Sequence, residues 1–503
     1  MLELNNSNID KPDFALNSSL IQNNINYTSS DRDFIEGLKT DFEWQTDNVI
    51  YTFNSIEGKH GDEDITGYKL FNSAQRVATE DALAEFSKVA DIKFEESLTS
   101  SKFDANLVIR GADMPGNTAG WAFQPSDFWG SDLTIDNQYD GSSTGFEANY
   151  YGLEKGQFGF KLLLHELGHA MGLGHPHESG NISAEADSLN ASVMSYYSSE
   201  SSSIGGQIAT GAGPYSPQTL MIYDIASLQE IYGANHQYNS GNNSYILDGN
   251  VYVGTIWDGN GNDSLDSSGY SGSAVLDLRE GLDNISRVGE TYSWNAFGSN
   301  IENAVSGNGN DNIYGNSLNN KITSNSGSDK IEGFGGNDDI RSNRGNDTID
   351  AGDGDDFVRG GKDSDTVSGG SGSDWVNGNN QNDIVNGDSG NDTIHGGKND
   401  DILHGGTGDD LIYGDKGNDQ LFGDAGSDRF IFKKDFGNDS IEDFNVNVDV
   451  IEIAGSLVID IESLLSSINY TNNNAVINLS DSTSISIRNI AENGLGIDDF
   501  TLI

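Results

Sequence analysis

His165-Glu166-Leu167-Gly168-His169-Ala170-Met171-Gly172-Leu173-Gly174-His175-Pro176 has the form HExxHxxGxxHP. On a helix turning about 100° per residue, His165 and His169 lie one turn apart on the same face. That spacing lets two imidazoles meet one tetrahedral metal ion. Glu166, about 100° round from His165, can reach a water in the open position without being a ligand itself. Leu163, Leu167, Ala170 and Met171 form an apolar stripe on the opposite side, able to fix the helix to a core. Gly172 can take the left-handed conformation that ends a helix, after which the chain turns back to deliver His175 as third ligand. HExxH alone arises by chance in helices; with Gly172 and His175 in register the pattern is far more specific. Three neutral nitrogen ligands and one open position describe a catalytic zinc site, whereas a structural site would be closed.

Just beyond lies Ser192-Val193-Met194-Ser195-Tyr196-Tyr197. It resembles the Met-turn of the metzincins, in which the methionine forms an apolar floor under the metal. The resemblance gives Met194 that place.

The rest of the chain divides by composition. Of 503 residues, 63 are glycine, 6 are proline and 35% are hydrophobic, which suggests an ordinary domain joined to something glycine-rich. The formal net charge of −53 argues against nucleic acid or an anionic membrane surface as a partner and favours divalent cations. Cysteine is absent, so neither a disulfide nor a cysteine-based zinc latch can form. No apolar run approaches the ~20 residues that cross a bilayer, and no integral membrane segment is expected.

Residues 1–35 read as a disordered arm or a propeptide; they carry no basic start and no long apolar run, and do not read as a cleavable signal peptide. Residues 36–235 read as an α+β catalytic domain. Strands are expected at Val49–Phe53, Ile92–Phe94, Ala105–Ile109, Gly120–Phe123 and Leu133–Ile135. One helix is expected over Ala74–Val89, capped by Ser73, and another over Leu220–Tyr232, stopped by Gly233.

After a connecting segment at 236–305, residues 306–431 repeat with a period of nine. Aspartates stand at Asp311, Asp329, Asp338, Asp347, Asp356, Asp365, Asp374, Asp383, Asp392, Asp401, Asp410, Asp419 and Asp428, and an apolar residue follows two places after each. Asn320 takes the aspartate's place in the remaining repeat, which makes fourteen nonapeptides of the form GGxGxDxUx. Six turn residues and three strand residues per repeat cannot bury a core alone, so the turns must stack into an all-β parallel roll. Carboxylates and turn carbonyls make the oxygen cage that calcium prefers. The block holds 24 acidic and 9 basic residues and would repel itself without bound cations. Leu318, Asp363, Gln381 and Asn399 replace the glycine at the fourth repeat position, and weak or absent calcium binding is expected in those turns. His177, His395 and His404 read as surface residues.

Together these motifs resemble the serralysins, secreted metzincin proteases that carry a C-terminal calcium-binding (RTX) roll. The resemblance runs from roughly Phe34 to Ile503 and includes Tyr223-Asp224-Ile225-Ala226, Thr255-Ile256-Trp257-Asp258 and Ile301-Glu302-Asn303-Ala304. It implies zinc on His165, His169 and His175, Glu166 as general base, and Tyr196 as a weak zinc ligand that moves to the transition state. It also implies protein or peptide substrates, a monomer, extracellular secretion and a type I exporter. That exporter would read a C-terminal signal ending Asp498-Asp499-Phe500-Thr501-Leu502-Ile503, within a cap over 432–503. Fourteen uninterrupted repeats are more than the family usually carries. A calcium-dependent adhesin or scaffold without proteolysis is the alternative; a matrixin-type metzincin is disfavoured by the absent cysteine and the repeats.

Overall fold

The computed structural model describes residues 27–55, 65–114, 119–125, 130–139, 152–178, 182, 187–197, 216–480 and 482–503. An α+β region comes first, and two long parallel sheets follow it. No helix among the described residues is long and apolar enough to cross a membrane.

The first region begins earlier than its composition suggests. Helix α1 (Ser29–Leu38) is capped by Thr28, whose hydroxyl accepts from the Asp31 amide while the Asp31 carboxylate accepts from the Thr28 amide. Phe34, Ile35 and Leu38 are buried, and Phe34 stacks on Tyr223 with ring centroids 4.2 Å apart. Residues 29–35 are therefore part of the catalytic core and not of an arm, because the helix has an apolar face that needs a partner.

Strands β1 (Asn48–Thr52), β2 (Thr66–Lys69), β3 (Lys93–Glu96), β4 (Leu107–Asp113), β5 (Gly120–Ala122) and β6 (Ser131–Asp136) form one sheet. Its order is β3-β1-β4-β6-β5, with β2 added against β4. Pairs β1·β3, β1·β4 and β4·β6 are parallel, while β5 runs antiparallel to β6 at the end of the order. Helix α2 (Ser73–Val89) is capped by Asn72 and not by Ser73: Asn72 has extended backbone, and its side chain accepts the Gln75 amide at 2.9 Å. Ser73 is the first residue inside the helix.

Helix α3 (Phe158–Ala170) carries the HExxH residues and is buried almost all round, with Leu163, Leu167, Ala170 and Met171 at 0–1% exposure. Gly172 follows at φ +93°, where a Cβ would stand 2.3 Å from the Phe42 carbonyl oxygen. The returning chain is clamped to the segment after α1: Thr40 donates its amide to Gly172, and Gly174 donates to Leu38 at 2.7 Å. Helix α4 (Ile222–Tyr232) ends at Gly233, φ +83°.

From Asn303–Val305 to Val450–Ile453 successive strands alternate between two sheets, so each nonapeptide pairs with the one 18 residues away. The inward apolar residue of every repeat, from Ile313 to Phe430, is buried at 0–1%. One such side chain contributes roughly 1.5–3 kcal/mol. Ordering nine residues costs about 1–2 kcal/mol each, so only stacking, with its hydrogen bonds and cations, makes a repeat stable.

The two sheets do not stop at the ends of the repeat. They take in Ser244–Ile246 through Asn303–Val305 upstream and Asn438–Ile441 through Phe500–Leu502 downstream. Residues 236–305 and 432–503 thus add strands to the two ends of the same sheets. Phe500–Leu502 forms the last strand of one sheet, parallel to Val450–Ile453.

Candidate metal centre

The three histidines converge. Nε2 of His175 lies 3.0 Å from Nε2 of His169 and 3.3 Å from Nε2 of His165. Nitrogens at ~2.0–2.1 Å from one tetrahedral ion would stand roughly 3.3 Å apart. Two of the far ring nitrogens have a backbone acceptor, and the third has a carboxylate beside it. His165 Nδ1 lies 2.9 Å from the Val193 carbonyl, His169 Nδ1 lies 2.8 Å from that of Leu173, and His175 Nδ1 lies 3.1 Å from Glu178 Oε1. Acceptors on Nδ1 fix the tautomer that leaves the Nε2 lone pair free for a metal. Burial, then the charges of Lys161 and the neighbouring imidazoles, pushes His165 far below the usual range; burial and His175 bring His169 down to about 4. Both rings are therefore neutral, the form that ligates.

The floor is built by two constraints. Met194 is fully buried, and a Cβ on Gly168 would meet its Sδ at 2.4 Å, so the glycine within HExxH lets α3 settle on the sulfur. Asp224, in the first turn of α4 and fully buried, holds the Met-turn with both oxygens. It accepts from Ser192 Oγ at 2.5 Å, the Val193 amide at 2.8 Å and the Met221 amide at 2.9 Å. Burial raises its carboxyl to about 6 despite those bonds. Since Val193 in turn holds His165, Asp224 is a positioning residue that sequence reading quoted but gave no role. Asp224→Ala leaves three buried donors without an acceptor and is expected to cost at least ~2 kcal/mol in denaturant unfolding. It should also weaken zinc affinity by about 10–100-fold in a chelator competition. Unchanged zinc affinity would show that the Met-turn holds His165 without it.

Glu166 is buried beside the histidines, and its Oε2 has no hydrogen-bond partner. Burial pushes its carboxyl up to about 8 against the pull of the Lys161 charge. The Tyr196 ring is exposed, but its hydroxyl reaches in to 2.6 Å from His175 Nε2. His177 lies at the surface as expected, with its ring stacked on His175 at 5.1 Å. A cleft of about 450 Å³ opens onto His169 and His175, walled by Phe42, Phe123, Pro125 and Glu178. Strand β5, at the end of its sheet, runs into that wall through Ala122.

A second set of ligand atoms runs along the roll. From Asp329 to Asp428 each ladder aspartate Oδ1 accepts the amide of the residue 18 earlier, as Asp347 does from Asp329 at 2.8 Å. The thirteen Oδ2 atoms are buried and have no partner. Burial raises these carboxyls, to about 8 at Asp338, Asp365 and Asp401. Asn320 differs, for its Nδ2 donates to the Glu302 carbonyl and to Asn316 Oδ1 at 3.0 and 2.9 Å. Its amide supplies its own hydrogen where the aspartates lack a positive partner.

Two comparisons bear on this architecture. The RTX calcium-binding nonapeptide repeat family matches residues 305–333, 332–367, 359–394, 368–403 and 395–430. The metallopeptidase AprA of Pseudomonas marginalis is 31% identical over 306 residues, covering 54% of this chain and 60% of that protein. Serralysin of Proteus mirabilis is 29% identical over 310 residues, and serralysin A of Dickeya chrysanthemi is 29% identical over 296. Over about half of its length the chain is similar to these metalloproteases. It spans about 60% of the length of these relatives.

The calcium-binding repeats and the metalloprotease relatives point to calcium and zinc as cofactors. The residues present fit both: three converging imidazole nitrogens suit zinc, and buried carboxylate oxygens without donors suit calcium. The chain also carries ladder residues that a strict period of nine passes over. Asp439 Oδ1 accepts the Asp419 amide at 3.0 Å and its Oδ2 is orphaned, while Asp449 Oδ1 accepts the Asp428 amide at 3.1 Å. Their spacings are 20 and 21 residues, but Gly437-Asn438-Asp439-Ser440-Ile441 keeps the repeat's inner pattern and could have revealed the first. Asp363, Gln381 and Asn399 adopt φ of 76–77°, the region otherwise left to glycine. The aspartates that follow them keep the same orphaned Oδ2, so these turns differ in backbone strain and not in the carboxylate they offer. His395 and His404 are not merely solvent-facing: their Nδ1 atoms lie 2.7 Å from Asp415 and 3.0 Å from Asp424.

Proposed function

We propose that the protein is a secreted zinc endopeptidase whose β-roll is held by calcium, and that it hydrolyses peptide bonds of extracellular proteins. The observation that carries this reading is the triangle of three Nε2 atoms beside a buried, unpartnered Glu166 oxygen, at the floor of an open cleft. His165, His169 and His175 would hold zinc, which would supply Lewis acidity and lower the pKa of a water toward ~7. Glu166 takes the proton of the attacking water and passes it to the leaving amine. The Tyr196 hydroxyl donates to the oxyanion as it forms. Strand β5 offers its outer edge to an extended substrate, so main-chain hydrogen bonds would hold the peptide across the site. Calcium is scarce inside cells and abundant outside, which would keep the roll threadable for a type I exporter until it emerges.

Hydrolysis of casein, lost to a zinc chelator and restored by zinc, tests the activity; an inactive protein with a full complement of zinc would overturn it. Tyr196→Phe is expected to lower kcat by about 10²–10³-fold, because one oxyanion donor is worth ~2.7–4 kcal/mol. KM should move little. A wild-type kcat in that variant would leave Tyr196 as packing beside His175.

A further inference from the structure

The lysines and arginines of the repeat block are not shared evenly between its two sheets. Alternate strands from Lys321–Thr323 to Arg429–Phe432 carry eight of the nine, against two carboxylates, Asp339 and Asp415. The intervening strands, from Asn312–Asn316 to Gln420–Ala425, carry Lys330 alone against five carboxylates. A chain of net charge −53 thus presents one face with a surplus of six positive charges. With screening over about 8 Å at physiological salt, a ligand on this face feels the local surplus more than the distant acidic residues.

The same face carries a ladder of rings. Phe357 and Trp375 stack at 4.3 Å and 8°, His395 and Tyr413 at 4.3 Å and 10°, and Trp375 and His395 lie 5.5 Å apart. Arg359 lies 4.1 Å from the Phe357 ring and 5.4 Å from Trp375. No ion pair engages Arg344, Arg359, Lys362 or Lys416 among the described residues. The rings belong to adjacent rungs of one sheet, so they turn their faces to one another and their edges outward. Ring edges are electropositive, which adds to the guanidinium and ammonium groups. Single-stranded nucleic acid is bound by stacking bases on free ring faces, and here those faces are occupied. An extended polyanion that needs charge and hydrogen bonds, but no stacking, fits better. Rungs about 4.8 Å apart also match the length of one sugar ring in an extended chain.

We infer that this face binds an acidic polysaccharide, with its carboxylates on Arg344, Arg359, Lys362 and Lys416 and its chain running along the roll axis across Trp375 and Tyr413. The site is separate from the peptidase cleft and does not depend on that reading. The test uses the full-length protein in calcium and a labelled hyaluronan oligosaccharide, which has a carboxylate on every second ring. Fluorescence anisotropy should show binding that weakens as salt rises, with none to a neutral dextran oligosaccharide of equal length. The double variant Arg359→Glu/Lys362→Glu should weaken binding by about tenfold or more. Lys330→Glu makes the same kind of charge change on the opposite sheet and should leave binding within about twofold. Calcium-induced circular dichroism checks that each variant folds, and the wild-type salt and dextran comparisons decide the matter without any variant. Equal binding of dextran, or an equal loss in Lys330→Glu, overturns the inference. Tighter binding of a single-stranded DNA oligomer, or of phosphatidylserine vesicles, overturns the polysaccharide assignment.

Discussion

Glu166→Ala is expected to retain zinc and fold while losing peptidase activity by about 10²–10⁴-fold, the usual worth of a positioned general base. The side chain lies on α3 one residue from His165, is 5% exposed, and has one oxygen without any donor. It is therefore placed for proton transfer and contributes little to holding the helix. Removing it relieves an unpaired buried polar group, so thermal stability should stay level or rise slightly. His169→Ala removes a ligand and should lose the metal along with activity. Metal analysis beside single-turnover kinetics separates the two variants. Near-wild-type turnover in Glu166→Ala, with full zinc, would place the base elsewhere.

The second large effect is the dependence of the roll on calcium and pH together. Without calcium, the folded carboxyls sit at about 8 for Asp338, Asp365 and Asp401 and about 7 for Asp374, Asp383, Asp419 and Asp428. Burial is the main cause in each case, and an unfolded aspartate titrates near ~3.9. A folded pKa raised above the unfolded one gives stability that is full below about pH 4 and is lost as pH rises through about 7–8. In chelator, the roll should thus hold β-structure in mild acid and lose it by pH 8. In millimolar calcium the dependence should invert, because the cation takes the place of the proton and needs the carboxylate ionised. Circular dichroism of the full chain across pH, in chelator and in calcium, reads both limbs. Identical curves in the two conditions would mean that the orphaned Oδ2 atoms are not what calcium holds.

Much of this was legible in one dimension. The phase of the aspartates and of the residues from Ile313 to Phe430 dictated a stacked roll, because no nonapeptide can bury a core alone. The 165–175 spacing named three ligands, because a helix repeats every 3.6 residues and Gly172 can reverse the chain. Other features depend on residues far apart in sequence. Asp31 reads as the end of a polar arm until Tyr223, 192 residues later, donates its hydroxyl to it at 2.7 Å. Asp439 and Asp449 fall out of phase because loops of extra residues precede them, yet hydrogen bonding to Asp419 and Asp428 returns them to the ladder.

The ligand types, the helix that presents two of them, the repeat and its preference for calcium all follow from local spacing. That Asp224 holds the turn that holds His165, that Glu178 faces His175, and that the roll's positive charges gather on one of its two sheets emerges only once the chain is packed. The physical reason is the same each time. A period of nine sends successive repeats to opposite sheets, and a Met-turn is pinned by a helix nearly thirty residues later. These partners meet through packing, and spacing along the chain carries no record of it.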